Sequence, residues 1–155
     1  MSRTFKPIFH LYPYRPGEID RFVLRADFAE EREAVAWDWN GDAPQGRTWT
    51  LWRFERDASR ILGIGGLADA GDGRWWAWAL LSDLSPREWA HAVRFARQAI
   101  EGVERFNGAK QILASARDKN PAAVKVLRRL GFTTTRIGRD PRNPEVAYVY
   151  MMRAA

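Results

Sequence analysis

The stretch SDLSPREWAHAV, from Ser82 to Val93, lies where a strand-like run ends and a helical pattern begins. Backbone N–H groups at the start of a helix point outward and can bind a phosphate. The same residues fit a capping box, in which the Ser85 hydroxyl accepts the Glu88 N–H and the Glu88 carboxylate accepts the Ser85 N–H. Pro86 has no N–H, and Glu88 places negative charge where phosphates would lie. The residues therefore predict a helix cap at this turn and not a phosphate site.

The composition of the 155-residue chain argues against metal and nucleic-acid binding. The chain has no cysteine, and its two histidines, His10 and His91, lie far apart without an HExxH or carboxylate pattern around them. The net charge of +6 comes with 21 arginines and four lysines scattered among the acids, and Arg128-Arg129 is the longest basic run. We therefore expect no metal cofactor and no nucleic-acid partner.

Hydrophobic segments long enough to cross a membrane are missing from the sequence. The first residues, MSRTFKPIFHLYPYRPGE, lack the apolar region of a signal peptide. The longest apolar run, WWAWALL, is far shorter than the ~20 residues of a spanning helix. No repeat or linker divides the chain. The sequence predicts a single domain over residues 1–155, in a cytoplasmic protein or one packaged in a virion, with no membrane contact.

Hydrophobic periodicity predicts strands and helices in alternation. Three β-rich segments separated by turn residues indicate an antiparallel meander, and apolar residues spaced three or four apart then predict a long amphipathic helix. Asn120 and Pro121 open a second helix as N-cap and first helical residue. The predicted elements are a strand at 4–14, helical segments within 16–39, strands at 48–56, 60–69 and 74–81, a helix ending at Phe106, a strand at 110–116, a helix from Asn120 to Gly131, and strands at 132–139 and 145–153.

Two motifs resemble the GNAT acyltransferase superfamily. NPAAVKVLRRLGF, from Asn120 to Phe132, is similar to the Asn-x-x-Ala…Leu-Gly-Phe helix that follows the fifth strand in that superfamily. ILGIGGLAD, from Ile61 to Asp69, resembles its third strand. The resemblance covers the chain from about Phe5 to Tyr150 at the level of layout. It implies an α+β fold with a mixed, mostly antiparallel central sheet of six to seven strands, flanked by helices on both faces.

The resemblance also implies where a cofactor would lie. In GNAT proteins acyl-CoA lies between the fourth and fifth strands, so acetyl-CoA is the cofactor to expect. The backbone at Leu80, Leu81 and Ser82 is then the edge that pairs with the pantetheine arm. Asn120 would contact a pantetheine amide in addition to capping its helix.

Acetylation of an amine further requires a base or a water relay that takes a proton from the ammonium group. At the ends of the two strands that would enclose the cofactor, Asp83 and Ser115 are the candidates. The alternative interpretation of Asp83 is a solvated acid in a turn, and we favour it. Trp37 and Trp39 flank a loop that forms part of the acceptor side in GNAT proteins, so a pocket or an interface is the alternative to core packing for them.

Two departures from the superfamily pattern bear on activity. Members that bind acetyl-CoA usually carry Arg/Gln-x-x-Gly-x-Gly/Ala before the helix, whereas SDLSPREWAHAV has no glycine. Many catalytic members have a tyrosine seven residues after the capping Asn, and Leu127 stands there in this chain. Phage-encoded GNAT-like proteins resemble the chain in lacking the glycine-rich loop.

Three functions remain open after these departures, and the third, a nucleic-acid-binding domain that we do not favour, rests on the net charge of +6 alone. The first is an acyl-CoA-dependent N-acetyltransferase-like protein with a degenerate cofactor loop, which would act on a small-molecule or protein amine. The alternative is a noncatalytic phage or prophage protein that serves as a virion-associated or assembly module and binds a protein partner.

Overall fold

The computed structural model describes residues 4–21, 23–26, 47–140 and 143–154. Most elements after residue 47 match the sequence prediction closely. In chain order the structure contains β1 (Ile8–Pro13), a 3₁₀ helix (Glu18–Arg21), β2 (Arg47–Phe54), β3 (Ser59–Gly71), β4 (Arg74–Leu81), α1 (Pro86–Phe106), β5 (Gln111–Arg117), α2 (Pro121–Arg129), β6 (Thr133–Asp140) and β7 (Asn143–Ala154).

The strands form one seven-stranded sheet in the order β1-β2-β3-β4-β5-β7-β6. β1 pairs with β2, and β7 with both β5 and β6, in antiparallel fashion. β4 and β5 are parallel, with Arg74 to Trp76 paired with Gln111 to Leu113, and α1 is the crossover that a parallel pair requires. The predicted mixed, mostly antiparallel sheet of six to seven strands is confirmed.

Two compact units make up the chain, and β3, β4 and α1 contribute residues to both. The first unit consists of Met1–Gly66 and Ala79–Phe95, and the second of Leu67–Trp78 and Ala96–Ala155. The buried apolar side chains of the first unit are Ile19, Leu51, Ile61, Leu62, Ile64 and Leu80. Those of the second are Leu67, Trp75, Ile100, Val103, Ala109, Ile112, Ala114, Ala116, Leu130, Phe132 and Met151. A single domain over residues 1–155 stays a prediction.

Glycines are required at two places in the β3–β4 region. In the first unit, a Cβ on Gly63 would lie 2.5 Å from Leu81 Cδ2 and 3.0 Å from the Leu80 carbonyl oxygen, so only glycine lets the end of β4 approach β3. Within the second unit the turn between the strands runs through Gly71, Asp72 and Gly73, which all have positive φ. The glycines adopt this conformation without the cost that a Cβ imposes.

The segment predicted to be helical at residues 16–39 is described only in part. Among its described residues, Glu18–Arg21 form one 3₁₀ turn, Val23 to Arg25 are irregular and Ala26 is helical, while residues 22 and 27–39 lie outside the described residues. The Glu18 carboxylate is buried and accepts the Arg15 N–H, the Thr50 hydroxyl and the Trp52 indole N–H. The Thr50 and Trp52 donors, both on β2, hold the turn against that strand. Trp37 and Trp39 lie outside the described residues.

Within the described ranges, none of the helices combines the length and the apolar composition that crossing a membrane demands.

Candidate functional site

The start of α1 forms the predicted capping box. The Ser85 N–H donates to Glu88 Oε1 at 2.9 Å, and the Glu88 N–H donates to the Ser85 hydroxyl at 3.3 Å. The Trp89 N–H donates to the Ser85 carbonyl, which closes the first helical turn. Because Pro86 has no N–H, only the Arg87 N–H of the first turn is left for a ligand.

Two arginines from the sheet complete an ion cluster around the Glu88 carboxylate, which is 3% exposed. Glu88 Oε2 accepts from Arg53 Nη1 of β2 at 3.2 Å and from Arg60 Nη2 of β3. Arg53 also pairs with Glu55 at 2.5 Å. Burial alone would raise the pKa of Glu88, but the Ser85 N–H and the two guanidinium groups outweigh it, and the net effect lowers the pKa below its usual value.

The cluster places an internal anion at the helix start. A carboxylate that accepts from a helix N-terminal N–H and two arginines makes the contacts that a bound phosphate would make. The sequence predicted the box at Ser85 and Glu88, and the structure contains it. Arg53 and Arg60 were missed, because they lie 35 and 28 residues away from Glu88 and no local pattern connects them.

Each of the two histidine rings contacts an aromatic ring of the first unit. The His91 ring stacks on Phe9 at 3.8 Å, and the His10 ring centroid is 4.2 Å from that of Tyr12. Burial lowers the pKa of His91, and the positive charges of Arg94 and Arg87 lower it further. Among the residues the structure describes, no group of three His, Cys, Asp or Glu side chains could hold a metal ion.

The end of β4, predicted as the pantetheine edge, is extensively hydrogen-bonded within the first unit. The Leu81 carbonyl accepts the Arg25 N–H at 2.9 Å. The Ser82 N–H and the buried Ser82 hydroxyl both donate to the Leu62 carbonyl at 3.0 Å. The Leu80 side chain is in the core. A carbonyl oxygen has a second lone pair, so Leu81 can still accept one further donor.

Asp83 lies at the surface directly after this edge. Its side chain is 95% exposed and its carboxylate is 3.9 Å from Arg25 Nε. An acid in this setting is well hydrated, and its charge is screened by solvent. These contacts agree with the favoured interpretation of a solvated turn acid.

Asn120 combines a structural contact with an unpartnered donor. Its Oδ1 accepts the Ala123 N–H at 3.2 Å, which makes it the N-cap of α2, as predicted. The residue is 5% exposed, and its buried Nδ2 has no hydrogen-bond partner within the described part of the chain. The Ala123 N–H requires an acceptor, so the amide orientation is fixed and Nδ2 must be the donor. A buried donor of this kind normally has a partner, because leaving it unpaired costs about 1–3 kcal/mol.

Ser115 lies on β5 opposite Tyr150 of β7. The residues of β5 alternate between buried Ile112, Ala114 and Ala116 and half-buried Leu113 and Ser115, so Ser115 belongs to the more open face of the second unit. Tyr150 shares that face as its cross-strand neighbour, and Tyr148 lies two residues before it.

The sequence contained a signal for these two tyrosines. In AYVYMM they alternate with valine, which places both on one face of a strand. The pairing of that face with Ser115 depends on the register of β5 and β7, which the sequence does not specify. Leu127, at the position of the superfamily's tyrosine, lies on α2 as predicted.

Comparisons with known proteins identify the fold. No family model and no curated protein matches the sequence. An acetyltransferase from Bacillus subtilis in complex with CoA has a TM-score of 0.62 and 13% identity, over 97% of this chain and 99% of that one. A GCN5-related N-acetyltransferase from Kribbella flavida has a TM-score of 0.65 and 17% identity, over 95% and 98%. A variant of spermidine N-acetyltransferase from Vibrio cholerae has a TM-score of 0.59 and 13% identity, over 94% of each chain.

The likeness covers nearly the full length of both chains in each pair. The chain therefore has the GNAT N-acetyltransferase fold, in agreement with the motifs at Ile61 to Asp69 and Asn120 to Phe132. At these levels of identity the likeness concerns the fold alone.

Proposed function

We propose that the protein is an acyl-CoA-dependent N-acyltransferase that recognises the pantetheine arm of its cofactor more than the pyrophosphate. The observation that carries the proposal is the buried Asn120 Nδ2, which has no hydrogen-bond partner among the residues that the structure describes. A secondary amide carbonyl, of which pantetheine has two, is the neutral acceptor that satisfies such a donor. One of the similar structures is a CoA complex, which makes CoA a plausible ligand for this fold.

Asn120 fits the pantetheine arm, whereas the start of α1 does not fit the pyrophosphate. Ser85 and Glu88 use each other's N–H groups, and the Glu88 carboxylate would repel a phosphate at close range. Phosphate binding at this turn would require breaking the pairs that Glu88 makes with Arg53 and Arg60. The pyrophosphate is therefore expected to add little to affinity in this protein.

The sheet face that carries Ser115 of β5 and Tyr150 of β7 supplies the polar groups for the reaction. When bound, acetyl-CoA supplies the thioester carbonyl that the amine attacks. The Ser115 hydroxyl can relay a proton through water away from the ammonium group, so that the neutral amine attacks the thioester carbonyl. The Tyr150 phenol can donate a proton to the thiolate that leaves. Asp83, which is solvated, is assigned no role in proton transfer.

Asn120→Asp is expected to weaken acetyl-CoA binding about tenfold, because it removes the Nδ2 donor and places an anion against the amide carbonyl. Aspartate keeps the acceptor for the Ala123 N–H but buries a charged oxygen without a donor, so the thermal midpoint should fall as well. Titration calorimetry and thermal unfolding measure the two quantities. Asn107→Asp, the same exchange at an exposed position, is the matched control.

Equal affinities in the Asn120 and Asn107 variants would contradict the role of Nδ2. The alternative, a noncatalytic virion-associated or assembly module with a protein partner, is favoured by the closed cap and by Leu127. It predicts no acetyl-CoA binding in any variant, so the same titration separates the two functions.

A further inference from the structure

In the second unit, the two faces of the sheet segment formed by β5, β7 and β6 differ in how deeply the side chains of β5 are buried. Ile112, Ala114, Ala116 and Met151 are almost fully buried on one side. On the other, the side chains of β5 and β7 are only half-buried, whereas β6 is largely exposed on both sides. We call this second side the open face. Its centre is Tyr150, which is paired with Ser115 on β5 and with Arg136 on β6.

A cation packs on the aromatic centre of the open face. The Arg136 guanidinium carbon lies 4.1 Å from the centroid of the Tyr150 ring, and the Tyr148 ring is 6.3 Å from Tyr150. Gly138 lies beside this pair: a Cβ there would be 3.3 Å from Arg136 Nη1, a close contact, and 3.5 Å from Tyr150 Cε2, an ordinary one. The ion pairs among the residues with a described position do not include Arg136. Within that part of the chain its N–H groups are left for an anion.

The net positive charge of the chain is concentrated in the second unit. Residues 67–78 and 96–155 contain thirteen Lys and Arg against seven Asp and Glu, while the first unit contains twelve of each. The whole net charge of +6 thus belongs to the second unit. A field of this sign attracts anionic ligands and repels polycationic amines.

From these observations we propose that the open face binds an amine acceptor that carries a carboxylate. Arg136 pairs with the carboxylate in the bidentate geometry that guanidinium groups favour, and the Tyr148 and Tyr150 rings contact the apolar part of the molecule. The Ser115 hydroxyl lies opposite Tyr150 and provides a polar contact for the amine. This inference rests on the proposed N-acyltransferase function and names the chemical class of its acceptor.

The test compares three amines of nearly equal shape. Phenylalanine has the carboxylate, phenylalaninamide replaces it with a neutral amide, and phenethylamine lacks the group. Each is titrated into the full chain without acetyl-CoA at one fixed ionic strength, and binding is followed by NMR shifts and by calorimetry. Spermidine is the polycationic comparison. Phenylalanine is expected to bind at least about tenfold more tightly than each of the other three, as for one charge-assisted contact.

Arg136→Gln should lower phenylalanine affinity about tenfold and leave phenylalaninamide affinity unchanged. Arg105→Gln is the matched control, since Arg105 is exposed, belongs to the same unit and lies 5.3 Å from the ring of Phe106. Equal effects of the two substitutions would overturn the proposal. So would absence of phenylalanine binding at 10 mM (about tenfold above the upper end of the usual KM range of enzyme substrates), or spermidine binding as tightly as phenylalanine.

The amine titrations are made without acetyl-CoA, so their result does not depend on whether the protein binds this cofactor. Phenylalanine binding through Arg136 in a protein that fails to bind acetyl-CoA would support the acceptor class and contradict the proposed function. If the protein binds acetyl-CoA but binds phenylalanine no more tightly than phenylalaninamide, the proposed function would be supported and the acceptor class contradicted.

Discussion

Replacing Glu88 with alanine is expected to lower the free energy of unfolding by about 2–3 kcal/mol. The substitution leaves Arg53 and Arg60 without their shared counter-charge and removes the acceptor of the Ser85 N–H. The loss falls short of a fully buried pair because Arg60 is about half exposed, and solvent screens part of the interaction. Urea unfolding at neutral pH measures the change.

Glu88→Gln separates the charge from the cap. Glutamine serves in a capping box as well as glutamate does, so this variant should retain the helix start and lose the ion pairs. We expect it to be intermediate in stability between wild type and Glu88→Ala. Glu101→Ala, on an exposed position of the same helix, is the control. An unfolding free energy of Glu88→Ala equal to that of Glu101→Ala would contradict the account of the cluster.

The same cluster predicts a pH dependence. The folded pKa of Glu88 lies below its ordinary value of 4.5, so the cluster's contribution is complete above pH 4.5 and is lost as the pH falls through the folded pKa. Wild type should therefore lose more stability than Glu88→Gln on acidification below pH 4.5. In Glu88→Ala, pyrophosphate should raise the thermal midpoint more than in wild type, because the two arginines and the Ser85 N–H then face an empty anion position.

The second large effect is expected at Arg153, in the second unit. Its Nη1 donates to the Leu130 carbonyl at the end of α2 at 2.6 Å. Its Nη2 lies 2.8 Å from Glu104 Oε1 of α1, outside hydrogen-bond geometry, so that contact is an ion pair. Both side chains are more than four-fifths buried. Arg153 thereby connects β7 to both helices of this unit.

Arg153→Ala should cost about 3 kcal/mol, because it leaves the Glu104 carboxylate without its cation and the Leu130 carbonyl without a donor. The measurement is urea unfolding of a double-mutant cycle with Glu104→Leu, in which removal of both partners should be less harmful than removal of Arg153 alone. Two purely additive substitutions would show that the pair contributes no coupling. Arg129→Ala, on an exposed position of α2 in the same unit, is the control.

The fold was predictable where the sequence pattern is local. The capping box at Ser85, the N-cap at Asn120 and the strand alternation of β5 are decided by residues within a few positions of each other. The 3₁₀ turn at Glu18–Arg21 was predicted as helix because its determinants are not local. The buried Glu18 is held by Thr50 and Trp52, more than thirty residues away.

In the candidate site, too, the features that depend on neighbouring residues were predictable and those that depend on distant residues were not. Asn120 was identified from the superfamily motif, but the absence of a partner for its Nδ2 depends on packing that only the structure shows. The arginines around Glu88 come from β2 and β3, distant in sequence from α1. The pairing of Tyr150 with Ser115 on one side and with Arg136 on the other is a product of strand register. Sequence reasoning had reached Ser115 alone among the residues of the open face.

The most direct test of cofactor recognition compares acetyl-CoA with S-acetylpantetheine by titration calorimetry on the wild-type protein. Both contain the thioester and the amides that would reach Asn120, and only acetyl-CoA contains the pyrophosphate and nucleotide. If Asn120 recognises the pantetheine arm and Glu88 closes the helix start to phosphate, both bind, with dissociation constants within about threefold of each other. Binding of acetyl-CoA about a hundredfold more tightly than S-acetylpantetheine, or no binding of either at millimolar concentration, would contradict this account.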